Sequence, residues 1–226
     1  MRPLIILHLF YPDMWDEFKN YFNNLDVDFD LMISICEDKN NISETIKKSY
    51  PNCKIFILPN KGLDIGPFLY ILKYLKENNL EYSHIVKLHT KKSHYNNNGL
   101  GKSWRDSLIK CLIGSPEIFK SNLDLISNNR TYKMIGSRTW LLRELNKRHM
   151  IIFNKLNIKK SSGSFIGGTM FICDYKIIVD FFTIELLDEL YNMMPNGYIR
   201  DHTFAHDMER AFGFIIEEKG FSIKGV

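Results

Sequence analysis

The sequence lacks any recognisable metal-binding or redox motif built on cysteine or histidine. Its four cysteines, Cys36, Cys53, Cys111 and Cys173, are scattered without a CxxC pair, and no HExxH motif is present. Cysteines at such spacings, in apolar strand-like or helical stretches, are typical of free buried thiols rather than of disulfides or zinc ligands. We therefore expect four reduced cysteines and a reducing compartment.

Long hydrophobic runs are also missing. The N-terminal run MRPLIILHLF carries one arginine and is followed by Tyr11-Pro12-Asp13. It is too short for a secretion signal or for a membrane span, which needs about 18 apolar residues, and no later stretch reaches that length. We expect a cytoplasmic protein that is at most peripheral, at the inner face of the membrane.

Charge of one sign is not in large excess. The chain has 30 lysines and arginines against 26 aspartates and glutamates, for a net charge of +4. This small net positive charge is compatible with an anionic ligand or membrane surface, but it does not indicate a nucleic-acid-binding protein.

The length of 226 residues and the hydrophobic fraction of 45% suit one domain with a full core. No internal repeat, low-complexity tract or clear linker divides the chain. The stretch 138–160 is basic and helical in pattern but poorly anchored, which indicates an insertion or a mobile segment. We expect a single domain over residues 1–226.

What the sequence does contain is an alternation of apolar runs and helix-period stretches. Leu4–Leu9, Phe29–Cys36, Cys53–Leu58 and Ile85–Leu88 predict buried strands. Strands that alternate with helices predict an α/β fold, in which a mostly parallel sheet is flanked by helices.

A glycine pair stands inside a later apolar run. Phe165 to Cys173, FIGGTMFIC, predicts one strand in which Gly167 and Gly168 leave two positions without side chains. Glycines inside a strand usually mark the close approach of a ligand or of another backbone.

Two polar loops follow predicted strand ends. The turn Asn60–Gly66 contains two glycines that allow backbone N–H groups to contact a phosphate or a sugar; the alternative is a tight turn in which Asp64 caps the next helix. His89, Lys91 and Lys92 follow the fourth strand and suit a diphosphate, with a solvated charged loop as the alternative. Because ligands bind beyond the carboxyl ends of parallel strands, both loops should face one crevice.

Other polar residues have a functional and a structural interpretation. His8 is either a hydrogen-bonded core histidine or a ligand contact, and Arg105 adds to the lysine cluster or is solvated. Asp201 precedes a predicted terminal helix on which His206 and Glu209 lie one turn apart. Each of these three can act as a general base, whereas a helix cap and an ion pair are the alternatives.

Several blocks of the sequence, in order, resemble the rhamnan synthesis protein F family. They are HLFYPDMWDEF, NKGLDIGPFL, VKLHTKKS with GxxWR at 101–105, FIGGTMFI and AHDMERAFG, and they cover the chain from Leu7 to about Gly220 apart from 138–160. The family occurs in gene clusters for bacterial surface polysaccharides and is regarded as glycosyltransferase-like. The resemblance implies a nucleotide-sugar transferase fold of the GT-A type.

The resemblance also implies roles for individual residues. The nucleotide-sugar side would comprise His8, Tyr11, Glu37, Asn60, Lys61, Gly62, Asp64, His89, Lys91, Lys92 and Arg105, with Tyr11 and Glu37 near the base. The acceptor side would comprise Gly167, Gly168 and Thr169. The base would be Asp201, His206 or Glu209.

The chain departs from the GT-A pattern at the metal site. Where that fold has Asp-x-Asp, this sequence has Leu88-His89-Thr90-Lys91. A hard cation prefers oxygen ligands, which histidine and lysine do not supply. We hypothesise that lysines neutralise the leaving diphosphate, so that no cofactor is required and no residue is assigned to a metal; dependence on Mn²⁺ or Mg²⁺ is the alternative.

The expected reaction is transfer of a sugar from a nucleotide diphosphate donor to a hydroxyl of a growing surface polysaccharide or lipid-linked glycan, with inversion. The family name suggests deoxythymidine diphosphate rhamnose, and uridine diphosphate sugars are the alternative. A non-catalytic carbohydrate- or nucleotide-binding module is the main competing function. A phosphate-ester hydrolase that uses His89 and Lys91 is a further alternative, although the sequence shows no nucleophile motif or carboxylate metal cluster.

Overall fold

The computed structural model describes residues 1–92, 100–145, 149–199 and 203–226, which form an α/β structure. Its strands are β1 (Leu4–His8), β2 (Asp30–Ile35), β3 (Lys54–Ile57), β4 (His84–His89), β5 (Tyr132–Gly136), β6 (Leu141–Leu145), β7 (Ser162–Ile166), β8 (Phe171–Asp174) and β9 (Ser222–Gly225). Its helices are α1 (Trp15–Asn23), α2 (Ile42–Ser49), α3 (Ile65–Glu77), α4 (Leu100–Ile113), α5 (Pro116–Asn128), α6 (Met150–Lys155), α7 (Tyr175–Val179), α8 (Ile184–Met193) and α9 (Phe204–Glu218).

The main sheet has the strand order β3-β2-β1-β4-β8-β5-β9. Neighbouring strands are parallel except at β8, which runs antiparallel to both β4 and β5. Strands β6 and β7 form a separate antiparallel pair. The predicted α/β class, with a mostly parallel sheet flanked by helices, is confirmed.

Both faces of the main sheet are covered by helices. Every residue of β1 is buried, and its side chains alternate between two cores because successive strand residues point to opposite faces. Leu4 and Ile6 pack in a core with residues of α3, α8 and α9, whereas Ile5 and Leu7 pack in a core with residues of α1, α4 and α5. This double burial explains why the parallel strands read as continuous apolar runs.

The strand order creates a crevice between β1 and β4. The chain moves outward from β1 to β2 and β3 on one side, then returns to place β4 on the other side of β1. The loops after β1 and β4 therefore leave neighbouring carboxyl ends, where the N–H of Tyr11 donates to the hydroxyl of Thr90 at 3.0 Å, and ligands of open α/β sheets bind at this edge. His8 and His89, the last residues of these two strands, are register partners at its base.

Two stretches differ from their predictions. Residues 165–173 are not one strand, because β7 ends at Ile166 in the small sheet and β8, which begins at Phe171, belongs to the main sheet. Between them, Gly168 and Thr169 have φ of 86° and 50°, a left-handed conformation that cannot continue a strand. The stretch 138–160 is helical at its end but contains β6, which pairs with β7. The single-domain organisation, with 138–160 as an insertion or mobile segment, stays a prediction.

The cysteines are free thiols, as predicted. Burial raises the pKa of Cys53 and of Cys111 to about 12. In the described part of the chain, no helix combines the length and the apolar character that a bilayer crossing requires.

Candidate functional site

A cleft of about 1040 Å³ lies at the carboxyl ends of β1 and β4. Residues from five separate segments that the sequence singled out meet there. They are His8 and Tyr11, Asn60 and Asp64, His89, Lys91 and Lys92, Gly168 and Thr169, and His206 and Glu209. The two polar strand-end loops therefore face one crevice.

Some predicted nucleotide-side residues do not line this cleft. Glu37 is exposed beyond the end of β2 and pairs with Lys39 at 3.0 Å. Lys61 and Gly62 lie against the segment after α8, where the N–H of Gly62 donates to the carbonyl of Pro195 at 2.8 Å. Only part of the predicted Asn60–Gly66 turn therefore faces the ligand space.

Arg105 and Gly167 also lie outside the cleft lining. The Arg105 guanidinium pairs with Glu17 at 3.1 Å and donates to the carbonyl of Lys91 at 3.1 Å. The N–H of Gly167 donates to the carbonyl of Trp140 at 2.8 Å. Both residues fix elements that line the cleft rather than contacting its space themselves.

Beneath the lining residues Asp64 and Thr169 lies a lysine that the sequence patterns did not single out. Lys87, in the middle of β4, is 1% exposed. Its ammonium forms an ion pair with the Asp64 carboxylate and donates to the carbonyl of Thr169 at 3.0 Å. A lysine inside an apolar strand was the available signal, because lysine is almost never fully buried without a partner.

Asp64 is a structural carboxylate rather than a helix cap. It precedes α3 but makes no side-chain capping hydrogen bond; instead it accepts a hydrogen bond of 2.5 Å from the hydroxyl of Thr169. Burial raises the pKa of Asp64, but the charges of His89 and Lys87, with hydrogen bonds from Lys87 and Thr169, hold that pKa well below its usual value. Asp64 is therefore ionised and committed to its partners.

The turn Gly167–Thr169 links the two sides of the cleft. His89 donates from Nε2 to the carbonyl of Gly168 at 2.8 Å, and the N–H of Gly168 donates to Oε1 of Glu209 at 2.5 Å. A Cβ atom at Gly168 would lie 2.9 Å from the end of the Leu108 side chain, so a larger residue would have to displace that side chain as well as adopt a left-handed φ. The turn fixes Glu209 beside the end of β4.

Glu209 is the candidate base whose carboxylate is largely enclosed in the cleft, with 17% of its side chain exposed. Its Oε2 accepts a hydrogen bond of 3.0 Å from Nη1 of Arg210. Burial nonetheless raises the pKa of Glu209. His206 also lines the cleft, and its Nδ1 lies 2.9 Å from the hydroxyl of Thr203. Asp201, the third predicted base, lies outside the described residues.

The two lysines of the loop after β4 have different surroundings. The ammonium of Lys91 lies 3.5 Å from the ring centroid of Trp104, and burial lowers the pKa of Lys91. The ammonium of Lys92 forms an ion pair with Asp13. Because Lys92 is neutralised by a carboxylate, Lys91 is the better placed of the two to attract an anion.

His8 satisfies both interpretations of its sequence position. It lines the cleft, and its Nδ1 lies 2.9 Å from the hydroxyl of Ser34. Burial lowers the pKa of His8 to about 3, so its ring is neutral at physiological pH. A neutral ring adds shape and one hydrogen-bonding nitrogen to the cleft, but no charge.

The strand end that replaces Asp-x-Asp does not suit a hard divalent cation. His89 donates its Nε2 proton to a carbonyl, Lys91 is a cation, and Asp64 is paired with Lys87. Mg²⁺ and Mn²⁺ take mainly oxygen ligands, several at a time. Among the described residues, no three histidine, cysteine or acidic side chains are grouped so as to hold a metal.

A scan against protein-family models matches residues 2–221 to the family described as rhamnan synthesis protein F. This is the family that the sequence blocks resemble. A search of curated proteins found no significant match.

Several solved structures match this chain at low identity. Crystal structures of S. aureus TarS 1-349, alone and in complex with UDP, are 11% and 12% identical, each with a TM-score of 0.45, and each match covers 85% of this chain and 54% of that one. A cytidylyltransferase from Leptospira borgpetersenii is 12% identical with a TM-score of 0.43, and the match covers 100% of this chain and 76% of that one. This chain thus spans about half the length of TarS 1-349. At TM-scores below 0.5, these likenesses say nothing about ligand or reaction.

Proposed function

Because this chain belongs to the rhamnan synthesis protein F family, we propose that it is a glycosyltransferase of the GT-A type that uses a nucleotide diphosphate sugar. The observation that supports this reaction is the convergence of Lys91 and Glu209 in one cleft at the carboxyl ends of parallel strands. Sugar transfer to a hydroxyl needs positive charge for the leaving diphosphate and a base for the acceptor.

The nucleotide diphosphate occupies the β1 and β4 side of the cleft in this proposal. Tyr11 and Asn60 lie near the nucleoside, and Lys91 lies at the diphosphate. Burial lowers the pKa of Lys91, so its ammonium is poorly solvated and gains more from an anionic partner than an exposed lysine would. Diphosphate charge is therefore neutralised by protein cations, and no step requires a metal.

Glu209 is the base that we favour. A carboxylate has about four lone-pair sites, so its bonds to Gly168 and Arg210 leave room for an acceptor hydroxyl. Its raised pKa brings it closer to the working pH and makes it a better proton acceptor than an exposed carboxylate. The deprotonated oxygen forms a bond to the anomeric carbon as the bond from that carbon to the diphosphate breaks, which inverts the anomeric centre.

The family description supports rhamnose as the transferred sugar, with deoxythymidine diphosphate as its carrier and a uridine diphosphate sugar as the alternative. The acceptor that we propose is a hydroxyl of a growing surface polysaccharide or of a lipid-linked glycan. This places the enzyme in the cytoplasm, at the inner face of the membrane.

Calorimetric titration with uridine, deoxythymidine, guanosine and cytidine diphosphates tests the proposal, with Mn²⁺ and again with chelator. One nucleotide should bind in the micromolar range regardless of chelator. Lys91→Met should weaken that binding about 10- to 100-fold, since a hydrogen bond to a charged group contributes about 1.5–3 kcal/mol. Lys110→Met is the control, because Lys110 pairs with Asp106 on α4 outside the cleft. If the nucleotide binds only with Mn²⁺, the hypothesis that lysines neutralise the diphosphate without a metal is wrong, whereas the transferase proposal stands.

A non-catalytic carbohydrate- or nucleotide-binding module is the second candidate. It is favoured by the two hydrogen bonds that Glu209 makes to the protein itself, which a purely structural carboxylate would also make. Single replacement of Asp201, His206 or Glu209 would leave the function of such a module unchanged. Failure of every nucleotide to bind would favour a carbohydrate-binding module.

A further inference from the structure

Two tryptophans line the cleft on the side away from β1. Trp104 lies on α4, and Trp140 lies between β5 and β6. Their ring centroids are 4.7 Å apart and their planes are inclined by 36°. In the sheet order, β5 is three strand spacings from β1, or about 14 Å at ~4.8 Å per spacing. Trp140 therefore follows a strand on the β4 side of β1, whereas Tyr11 follows β1 itself.

Hydrogen bonds tie the ring of Trp140 to α4, beside the ring of Trp104. The indole N–H of Trp140 donates to the hydroxyl of Ser107 at 3.1 Å, and that hydroxyl donates to the carbonyl of Trp104 at 2.7 Å. Each ring packs partly on the core below α4, and each is only half-buried. A rigid, partly exposed aromatic surface offers contact area to a ligand at little entropic cost.

The tryptophan pair is joined to the candidate base through one turn. The carbonyl of Trp140 accepts the N–H of Gly167, and the N–H of Gly168 donates to Glu209. Two consecutive peptide groups thus contact Trp140 on one side and the carboxylate of Glu209 on the other. Trp104 and Trp140 together are called the aromatic wall. A ligand that contacts the wall lies within reach of Glu209.

We propose that Trp104 and Trp140 form a subsite for a pyranose ring of the acceptor glycan. This inference rests on the proposed transferase function, since only a transferase has an acceptor. A pyranose has an apolar C–H face that packs on an aromatic ring and hydroxyls that bind polar groups, and an aromatic wall beside a carboxylate offers both.

The position of Lys91 favours a sugar over a nucleotide base as the occupant. Its ammonium lies over Trp104, so a diphosphate bound to Lys91 is adjacent to the wall. In a nucleotide sugar, the nucleoside lies on one side of the diphosphate and the reacting sugar on the other. With the nucleoside near Tyr11, the wall lies beyond the diphosphate, where the acceptor must approach.

Tryptophan fluorescence provides the test. Trp15 is 2% exposed within a core, so a ligand-dependent change reports Trp104 and Trp140. Protein saturated with uridine or deoxythymidine diphosphate is titrated with methyl pyranosides of rhamnose, glucose, galactose and N-acetylglucosamine. One pyranoside should quench fluorescence saturably.

Trp140→Ala should weaken that pyranoside at least about 10-fold, which corresponds to about 1.4 kcal/mol. It should also raise the KM for acceptor without changing the KM for donor. Tyr132→Ala is the matched control. The ammonium of Lys224 lies 5.4 Å from the ring centroid of Tyr132, as Lys91 lies over Trp104, but Tyr132 is outside the cleft lining.

Three outcomes would overturn the inference. If no pyranoside changes the fluorescence, the wall does not bind a sugar. If Trp140→Ala weakens the nucleotide instead, the wall stacks a base, and the transferase proposal survives without this subsite. If a pyranoside binds but no nucleotide does, the wall binds sugar in a non-catalytic module, and both the acceptor assignment and the transferase fail.

Discussion

Two largely buried carboxylates contact neighbouring residues of the same turn, yet their environments differ. Asp64 accepts the hydroxyl proton of Thr169, and Glu209 accepts the N–H of Gly168. The pKa of Asp64 is held well below its usual value, whereas the pKa of Glu209 is raised. Carboxylates whose environments separate their pKa values tend to have separate roles.

The difference lies in how far the neighbouring cation compensates for burial. Lys87 is fully buried and directs its ammonium at Asp64, and the hydroxyl of Thr169 adds a second donor. Arg210 divides one guanidinium nitrogen between Glu209 and the carbonyl of His206, so burial dominates at Glu209. We infer that Asp64 maintains the architecture and that Glu209 is available for proton transfer.

The largest expected effect comes from breaking the Asp64 side. Asp64→Ala leaves the Lys87 ammonium buried without its carboxylate, which should lower the free energy of unfolding by about 3–5 kcal/mol. Urea denaturation measures this change. The double variant Asp64→Leu/Lys87→Met should recover most of the loss, because two apolar residues often replace a buried ion pair without cost.

An exposed pair provides the control for that experiment. Lys73 and Asp188 form a partly exposed ion pair at 2.6 Å between α3 and α8, and Asp188→Ala should cost no more than about 1 kcal/mol. If Asp64→Ala costs no more than this control, Lys87 is not a charged partner and the contrast between the two carboxylates disappears.

The second effect is on the Glu209 side and concerns rate rather than stability. Glu209→Gln keeps an oxygen that can accept the N–H of Gly168 but removes the proton acceptor. Its kcat should fall about 10²- to 10⁴-fold, while nucleotide affinity and the unfolding transition stay close to wild type. Assays of sugar transfer with the donor identified by calorimetry measure this.

Glu217→Gln is the matched control on the same helix. Its carboxylate accepts the N–H of Ser164 at 3.1 Å outside the cleft lining, so its kcat should be unchanged. Retention of the wild-type rate by Glu209→Gln would move the base to His206 or Asp201, or would favour the non-catalytic module.

The Asp64 side of this comparison shows what short-range sequence reasoning can reach. A strand followed by a polar loop gives the position of His89 and Lys91, because parallel strands place their carboxyl ends at one edge. The turn before α3 also follows from sequence: a Cβ at Gly66 would lie 2.0 Å from the carbonyl of Lys61, so the glycine allows the close turn. What was missed there is Lys87, since its partner is 23 residues away.

The Glu209 side depends on contacts between distant parts of the chain. Periodicity places Glu209 on a helix, but the hydrogen bond that fixes its carboxylate joins residues separated by 41 positions. The apolar run around Gly168 has the composition of one strand, and only the left-handed backbone at two successive residues divides it between two sheets. Trp140 lies in the stretch 138–160, whose pairing with β7 no local pattern indicates.

The smallest expected effect is on the pH dependence of stability, where the two carboxylates should have opposite signs. The folded pKa of Asp64 is lowered, so its contribution is present above its unfolded pKa of about 3.9 and is lost as pH falls through the folded value. The folded pKa of Glu209 is raised, so its contribution is present below its unfolded pKa of about 4.3 and is lost as pH rises through the folded value.

Urea denaturation of wild type and Glu209→Gln over a pH series measures the pH dependence that Glu209 contributes. Wild type should lose stability relative to the variant as pH rises above about 4.3. The change should be modest, because moving a pKa by one unit alters stability by only about 1.4 kcal/mol. A difference between the two proteins that does not vary with pH would mean that Glu209 has the same pKa folded and unfolded, and the opposite signs expected for the two carboxylates would be wrong.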